Sequence, residues 1–229
     1  MKENVLLSLG ISLIIQWASF FINIFSLFQS LPAKDFILKE ILGLETLVQA
    51  IELGFYTWYK NHIQEKIIDV TEFRYYDWFL TTPMMLFSTM GFYQYLKGSD
   101  EPMRLLPFFQ QNATSIVFIL FMNFLMLFFG YLQEIGLISL VSSTVFGFGA
   151  LFTSFYTMYK EFVADAPKQF IFFFVFFVWS LYGIAAMFEN HWKNTSYNIL
   201  DIFAKNFYGL YLSYFIYTLS QDSLGNVSS

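Results

Sequence analysis

Seven long apolar runs, separated by short polar ones, set the pattern of this chain. They cover residues 5–28, 36–60, 74–97, 112–133, 136–160, 168–189 and 196–220. A helix needs about 20 mostly apolar residues to cross a hydrocarbon core, and each run meets that length. The separators QSLPAKD, KNHIQEKIIDVTEF, KGSDEPMRLLPFFQQ, QEIG, KEFVADAPK and ENHWKNTSY are polar. The pattern predicts an all-α membrane protein, a bundle of seven transmembrane helices forming one domain over 1–229. The opening run, MKENVLLSLGISLIIQWASFFINIFSLF, is long and lacks a small-residue cleavage site. It reads as a first span and not as a removed signal peptide.

Composition agrees. Of 229 residues, 57% are hydrophobic, 23% aromatic and only 13% charged, where a soluble domain carries about 25% charged residues. Mean hydropathy is +0.54. No cysteine is present, which excludes disulfides, thiol catalysis and cysteine-based metal sites. His62 and His191 fall in predicted loops and form no ligand cluster. A net charge of −5 gives no footprint for nucleic acid. With the N-terminus outside, the inner loops hold Lys34, Lys39, Lys97, Arg104, Lys160 and Lys168, and the outer side holds Lys2, Lys60, Lys66 and Lys193. Six cations against four place the N-terminus outside and the C-terminus in the cytoplasm. Asn112-Ala-Thr, Asn194-Thr-Ser and Asn226-Val-Ser match the glycosylation triplet.

Charges inside spans change the picture. The third run begins RYYDWFLTTP, with Arg74 and Asp77 three residues apart, and Thr81 and Ser88 continue the face of Asp77. The seventh run, YNILDIFAKNFYGLYLSY, carries Asp201 and Lys205 one helical turn apart. Intramembrane charges turn inward and find partners. Two cations and two carboxylates can satisfy one another, and the carboxylates would hold a buried amine charged against the penalty of burial. One reading is a structural ion quartet tying two helices together, although buried pairs stabilise poorly compared with apolar packing. The other is that Lys205 carries a covalent cofactor, as Schiff-base lysines do.

At these residues the chain resembles the microbial (type 1) rhodopsins, with RYYDWFLTTP similar to the family's third helix and LDIFAKNF to its seventh. The resemblance spans nearly the whole chain. It implies a retinal-binding photoreceptor with all-trans retinal joined covalently to Lys205, Asp77 and Asp201 as counter-ions, and Arg74 guarding the extracellular side. By the same matching, Trp78 and Trp179 sandwich the polyene, with Tyr182 alongside. Thr81, Thr82 and Met85 belong to the helix-three wall, and Asn123, Met126 and Gly130 resemble the ring end. Phe146, Gly149 and Thr153 complete the pocket, in a segment, FGFGALF, whose register can shift by two. Gly183 stands where relatives commonly have proline, and Ala186 where they commonly have an aromatic residue. No fused catalytic domain fits within the chain, so no enzyme is expected.

Pump, channel and sensor share this pocket and differ outside it. A proton pump commonly keeps a donor carboxylate on the inner side of helix three, where this chain has Ser88, giving the triplet Asp77, Thr81, Ser88. Lys193 occupies one position of an outer release cluster. Helix two reads KEILGLETLVQAIELGFYTWY, and its Glu45, Gln49, Glu52 and Tyr56 fall at offsets 0, 4, 7 and 11, one continuous face. Ser8, Ser12, Ser19 and Asn23 share such a spacing on the first run, and Asn198, Asp201 and Asn206 lie on the seventh. Buried acids are tolerated where they line a water-filled cavity, and acidic rings favour cations. The alternatives for Glu45 and Glu52 are hydrogen-bonding roles or a subunit interface. These glutamates resemble gate residues of channelrhodopsins, and the combination with AKNFYG resembles the first group of viral rhodopsins, from giant algal viruses. The resemblance implies light-gated conduction of protons and monovalent cations. A light-driven outward proton pump and a sensory rhodopsin are the alternatives. Membrane lipid, retinal and a homo-oligomer of trimeric, pentameric or dimeric kind are the implied partners.

Overall fold

The computed structural model describes residues 2–66, 70–98 and 102–227. The side chains of Lys2, Lys66 and Asn226 lie outside the described residues. Seven helical rods account for nearly all the rest. They are α1 Lys2–Leu27, α2 Phe36–Lys66, α3 Val70–Lys97 and α4 Leu105–Glu134. Next come α5 Leu140–Met158, prolonged by a π turn over Tyr159–Val163, and α6 Phe170–Ala185. The seventh rod, α7, opens as Asn190–Asp201, widens into a π turn over Ile202–Asn206 and continues as Phe207–Val227. Among the described residues there is no strand.

Each rod packs on the next in chain order, and α7 returns to α1, so the bundle closes into a ring. The ring sorts its side chains inside out relative to a soluble protein. Ile14, Phe25, Val141 and Phe177 face outward. Ser12, Asn23, Glu45, Glu52, Arg74 and Asp201 are buried. An apolar exterior around a polar interior suits hydrocarbon, which cannot solvate charge. Glu3–Leu27, Leu105–Glu134 and Leu140–Val163 are long and apolar enough to cross a membrane. The inward charges of α2, α3 and α7 lower the hydropathy of those helices.

Several boundaries move. The fourth helix starts at Leu105, not at 112, because Glu40 of α2 accepts from the Leu105 N–H at 2.7 Å and from Arg104 Nε at 2.6 Å. A carboxylate there satisfies donors that a helix start leaves free. Pro107 falls in the first turn, where its missing N–H costs nothing. The sixth helix stops at Ala185, short of 189, and the seventh begins at Asn190, six residues before 196. Both histidines sit in helices and not in loops, His62 in α2 and His191 in α7. Inside α3, Pro83 removes one backbone donor. The hydroxyls of Thr81 and Thr82 donate to the carbonyls of Asp77 and Trp78, at 2.9 and 2.8 Å.

Candidate functional site

Lys205 sits in the π turn of α7, where the wider turn presents both Lys205 and Asn206 to the interior. Its Nζ donates to Asp77 Oδ2 at 2.6 Å and lies 3.8 Å from Asp201 Oδ1. A third carboxylate reaches it as well, Glu52 Oε1 at 3.6 Å. All three acids are almost wholly buried. The quartet read from sequence is therefore a quintet, with acids in excess of cations around one amine. Linear periodicity put Glu52 on the inner face of α2 but could not show how far along that face α7 would place its lysine.

On one side of Lys205 the network centres on Arg74, fully enclosed. Its guanidinium donates to Asp201 Oδ2 at 3.3 Å and Asn194 Oδ1 at 3.1 Å, and also to the Asn198 amide oxygen. Four rings, Phe55, Tyr56, Tyr59 and Tyr197, surround it within 5.7 Å of their centroids. Tyr56 and Tyr182 each donate to Asp201 at 2.6 Å. Asn198 in turn donates to Ser8 at 3.0 Å, and Ser12 donates to the Asn198 carbonyl at 3.2 Å. Asn194 is buried in this network. Asn112 lies within α4, bonded to the Phe108 carbonyl at 2.9 Å. Neither triplet asparagine is presented on a surface loop. Lys193, beyond Arg74, is paired with Glu134 of α4 at 2.6 Å.

On the other side, Glu45 accepts from Ser88 of α3, and Ser19 of α1 donates to Asn206. Gln49 and Asn23 are buried between these pairs. Every polar position singled out on α1, α2 and α7 thus faces the interior: Ser8, Ser12, Glu45, Gln49, Glu52, Asn198 and Asn206. Glu45 and Glu52 have no exposed surface, which rules out their facing a subunit interface.

The opposite flank of Lys205 is apolar. A cavity of ≈ 110 Å³ runs from Lys205 between α3, α4, α5 and α6. Trp78 and Trp179 wall it, with Thr82 and Met85 from α3, Met126 and Gly130 from α4, and Tyr182 from α6. Two glycines shape it. A Cβ on Gly183 would come 2.6 Å from the Phe148 ring, and one on Gly130 would strike Tyr75. Asn123 stands behind the wall, donating to Thr82 Oγ1 at 2.8 Å, and Thr81 sits beneath Asp77; neither lines the cavity.

The register of α5 needs correction. Phe146, Gly149 and Thr153 point outward, and Phe146 is 55% exposed against Phe129. The residues two positions earlier, Thr144, Gly147 and Leu151, line the cavity instead. Sequence reasoning also missed Tyr75, Phe148 and Tyr197 in this wall. Tyr75 adjoins Arg74 in the motif and could have been found there; Tyr197 lay in a stretch read as the edge of the last span.

The sequence pattern of the family described as bacteriorhodopsin-like protein matches residues 7–219. No curated protein matches the chain. Among solved structures, the viral rhodopsin OLPVRII is similar at 26% identity and a TM-score of 0.83, over 94% of this chain and 98% of that one. A blue light-absorbing proteorhodopsin from Med12 aligns at 20% identity and TM-score 0.73, over 93% and 96%. The rhodopsin of Exiguobacterium sibiricum aligns at 17% identity and TM-score 0.73, over 97% and 98%. The last two likenesses bear on the fold alone.

Proposed function

The chain belongs to the bacteriorhodopsin-like protein family, and from that premise we propose that it is a photoreceptor in which light acting at Lys205 opens a cation path through the bundle. Membership implies an integral membrane protein that binds retinal. The cavity suits such a group: it is ringed by aromatic side chains, bordered by two glycines with no room for a side chain, and reaches an amine. Lys205 would hold retinal covalently, between Trp78 and Trp179, with Met126 and Gly130 at the far end and Thr144 and Gly147 in place of Phe146 and Gly149. When bound, retinal supplies a light-driven change of shape next to a charged nitrogen.

The protein's own residues then act in sequence. Asp77, at 2.6 Å, is positioned to take the proton held at Nζ. Losing that charge pair frees Glu52 and Asp201 from the amine they share. Tyr56, Tyr182 and Arg74 all lean on Asp201, so the outer network loosens with it. Water and monovalent cations pass between α1, α2, α3 and α7. With the N-terminus outside, Arg74 faces the exterior and Glu45 the cytoplasm.

The observation that carries this reading is the unbroken buried polar face of α2, where Glu45, Gln49, Glu52 and Tyr56 are each fully enclosed. The test is a current–voltage series under illumination with defined ions on each side. Current that changes sign with voltage supports conduction, and current outward at every voltage rejects it. An outward proton pump is the second reading, favoured by the Glu45–Ser88 contact, which sets a carboxyl beside the inner end of α3. Acidification of unbuffered medium by illuminated cells would carry that reading instead.

A further inference from the structure

The polar seam is interrupted at one level, one turn beyond Lys205. There Asn23 of α1 and Gln49 of α2 meet over Gly209 of α7. With its amide nitrogen toward α7, Asn23 donates to the Gly209 carbonyl at 3.2 Å and to Ser213 Oγ at 2.8 Å, and its oxygen lies 3.3 Å from the Gln49 amide. Asn23, Gln49 and Ser213 are all buried. A Cβ on Gly209 would fall 2.7 Å from the Asn23 amide and 2.9 Å from the Gln49 amide, so a side chain there would push both amides aside.

The levels on either side differ from this one. Toward Lys205, Gln16 Oε1, Asn206 Nδ2 and the Glu52 carboxylate are buried without hydrogen-bond partners; toward the other end, so are Glu45 Oε2 and the Tyr208 hydroxyl. Buried polar atoms in native interiors that lack a protein partner commonly bind water. No atom of Asn23, Gln49 or Ser213 is among the unpartnered ones. The seam is thus two stretches with polar atoms to spare, parted by one layer in which Asn23, Gln49 Nε2 and Ser213 are held together over Gly209.

We propose that the Asn23–Gln49–Ser213 knot over Gly209 is the closed gate of the cation path. This rests on the channel reading of the same seam. A neutral amide layer in which the Asn23 amide is bonded to Gln49, Ser213 and Gly209 offers a passing cation little to bind. Its floor is tied to the trigger: Gly209 follows Lys205 by four residues, in the first turn of the helix after the π turn. A π turn is a weak point in a helix, so displacement at Lys205 moves the Gly209 carbonyl on which Asn23 rests. Losing that bond and, with the same movement of α7, the one to Ser213 lets the Asn23 amide turn toward ion or water and release Gln49.

Gln49→Ala and Asn23→Ala each remove at least one bond of the knot without touching the ion cluster. Each is expected to give a dark current with the reversal potential of the wild-type photocurrent, raising the dark-to-light ratio on the order of tenfold. Ser213→Ala should shift the ratio the same way by less. Visible absorption of the purified variants reports that the lysine site is folded, and only coloured variants are compared. Wild-type photocurrent that reverses, with variants dark-silent and unchanged in closing rate, overturns the gate and leaves the channel reading standing. Wild-type current that never reverses removes the channel reading, and the cation gate with it.

Discussion

The two flanks of Lys205 are built from opposite materials. Toward α1 and α2 the interior is amide, hydroxyl and carboxylate; toward α4, α5 and α6 it is aromatic, aliphatic and small residues. The polar flank is fully buried, and the aromatic flank, nearer the lipid-facing side, is partly so. What separates them is what each could do with a neighbour. The aromatic flank gains from an apolar guest and offers nothing to an ion. The polar flank gives an apolar guest nothing but can exchange protein ligands for water. A lysine on the seam between the flanks can hold the guest with one and drive the other. That division of labour is what the following changes would break or sharpen.

The largest effect falls on the hinge of the comparison itself. Lys205→Ala removes the amine that joins the flanks, so protein reconstituted with retinal is expected to show no visible absorption band. A coloured Lys205→Ala protein would mean that the aromatic cavity holds its guest without the polar side.

Next comes the polar flank alone. Glu52→Gln keeps shape and removes the carboxyl group 3.6 Å from Lys205. Interactions of about 1.5 kcal/mol with charged groups are typical, which corresponds to on the order of tenfold in an equilibrium. Photocurrent should fall or change selectivity by about that factor while colour is retained. Unchanged current and selectivity would detach α2 from conduction.

These two residues also show how far the sequence could be read. Charge in an apolar chain is loud: Arg74, Asp77, Asp201 and Lys205 were expected to meet, and their contacts at 2.6 to 3.8 Å bear that out. The α2 face was legible for the same reason, since Glu45, Gln49 and Glu52 stand out against leucine and isoleucine. Elsewhere the contrast vanishes. In VFGFGALF, aromatic and glycine alternate, and two registers two residues apart look alike. An aromatic is as content in lipid as in a pocket, so no pattern of polarity phases α5. The π turns left no trace either, because an inserted residue changes backbone bonding without a characteristic side chain. At the α4 start the deciding partner, Glu40, is 65 residues away in sequence. The polar opening of α7 read as loop because a buried asparagine and an exposed one look the same until Arg74 is placed beside it.

On the aromatic flank, Gly183→Ala forces a methyl group against Phe148, at 2.6 Å before any adjustment. Overpacking typically costs about 1–3 kcal/mol, and each kcal/mol lowers Tm by roughly 2–4 °C in a chain of this size. A thermal melt of the pigment should fall by several degrees, while the reversal potential of the photocurrent stays where it was. A changed reversal potential would show that the aromatic wall touches the ion path after all.

The smallest effect discriminates most finely. Thr144 and Phe146 are two residues apart on α5, one in the cavity wall and one 55% exposed. Replacing Thr144 by alanine removes a hydroxyl beside the guest and is expected to move the absorption maximum. Replacing Phe146 by alanine deletes far more surface, yet from a side chain that meets lipid and Phe129, and lipid fills the gap. Its cost should stay near the roughly ±0.5 kcal/mol of surface changes, with the band unmoved. The contrast is sharp because size and consequence run in opposite directions: the larger deletion is the silent one. If Phe146→Ala shifts the band and Thr144→Ala does not, α5 is rotated by two residues, Gly149 replaces Gly147 at the cavity, and the aromatic flank must be rebuilt around it.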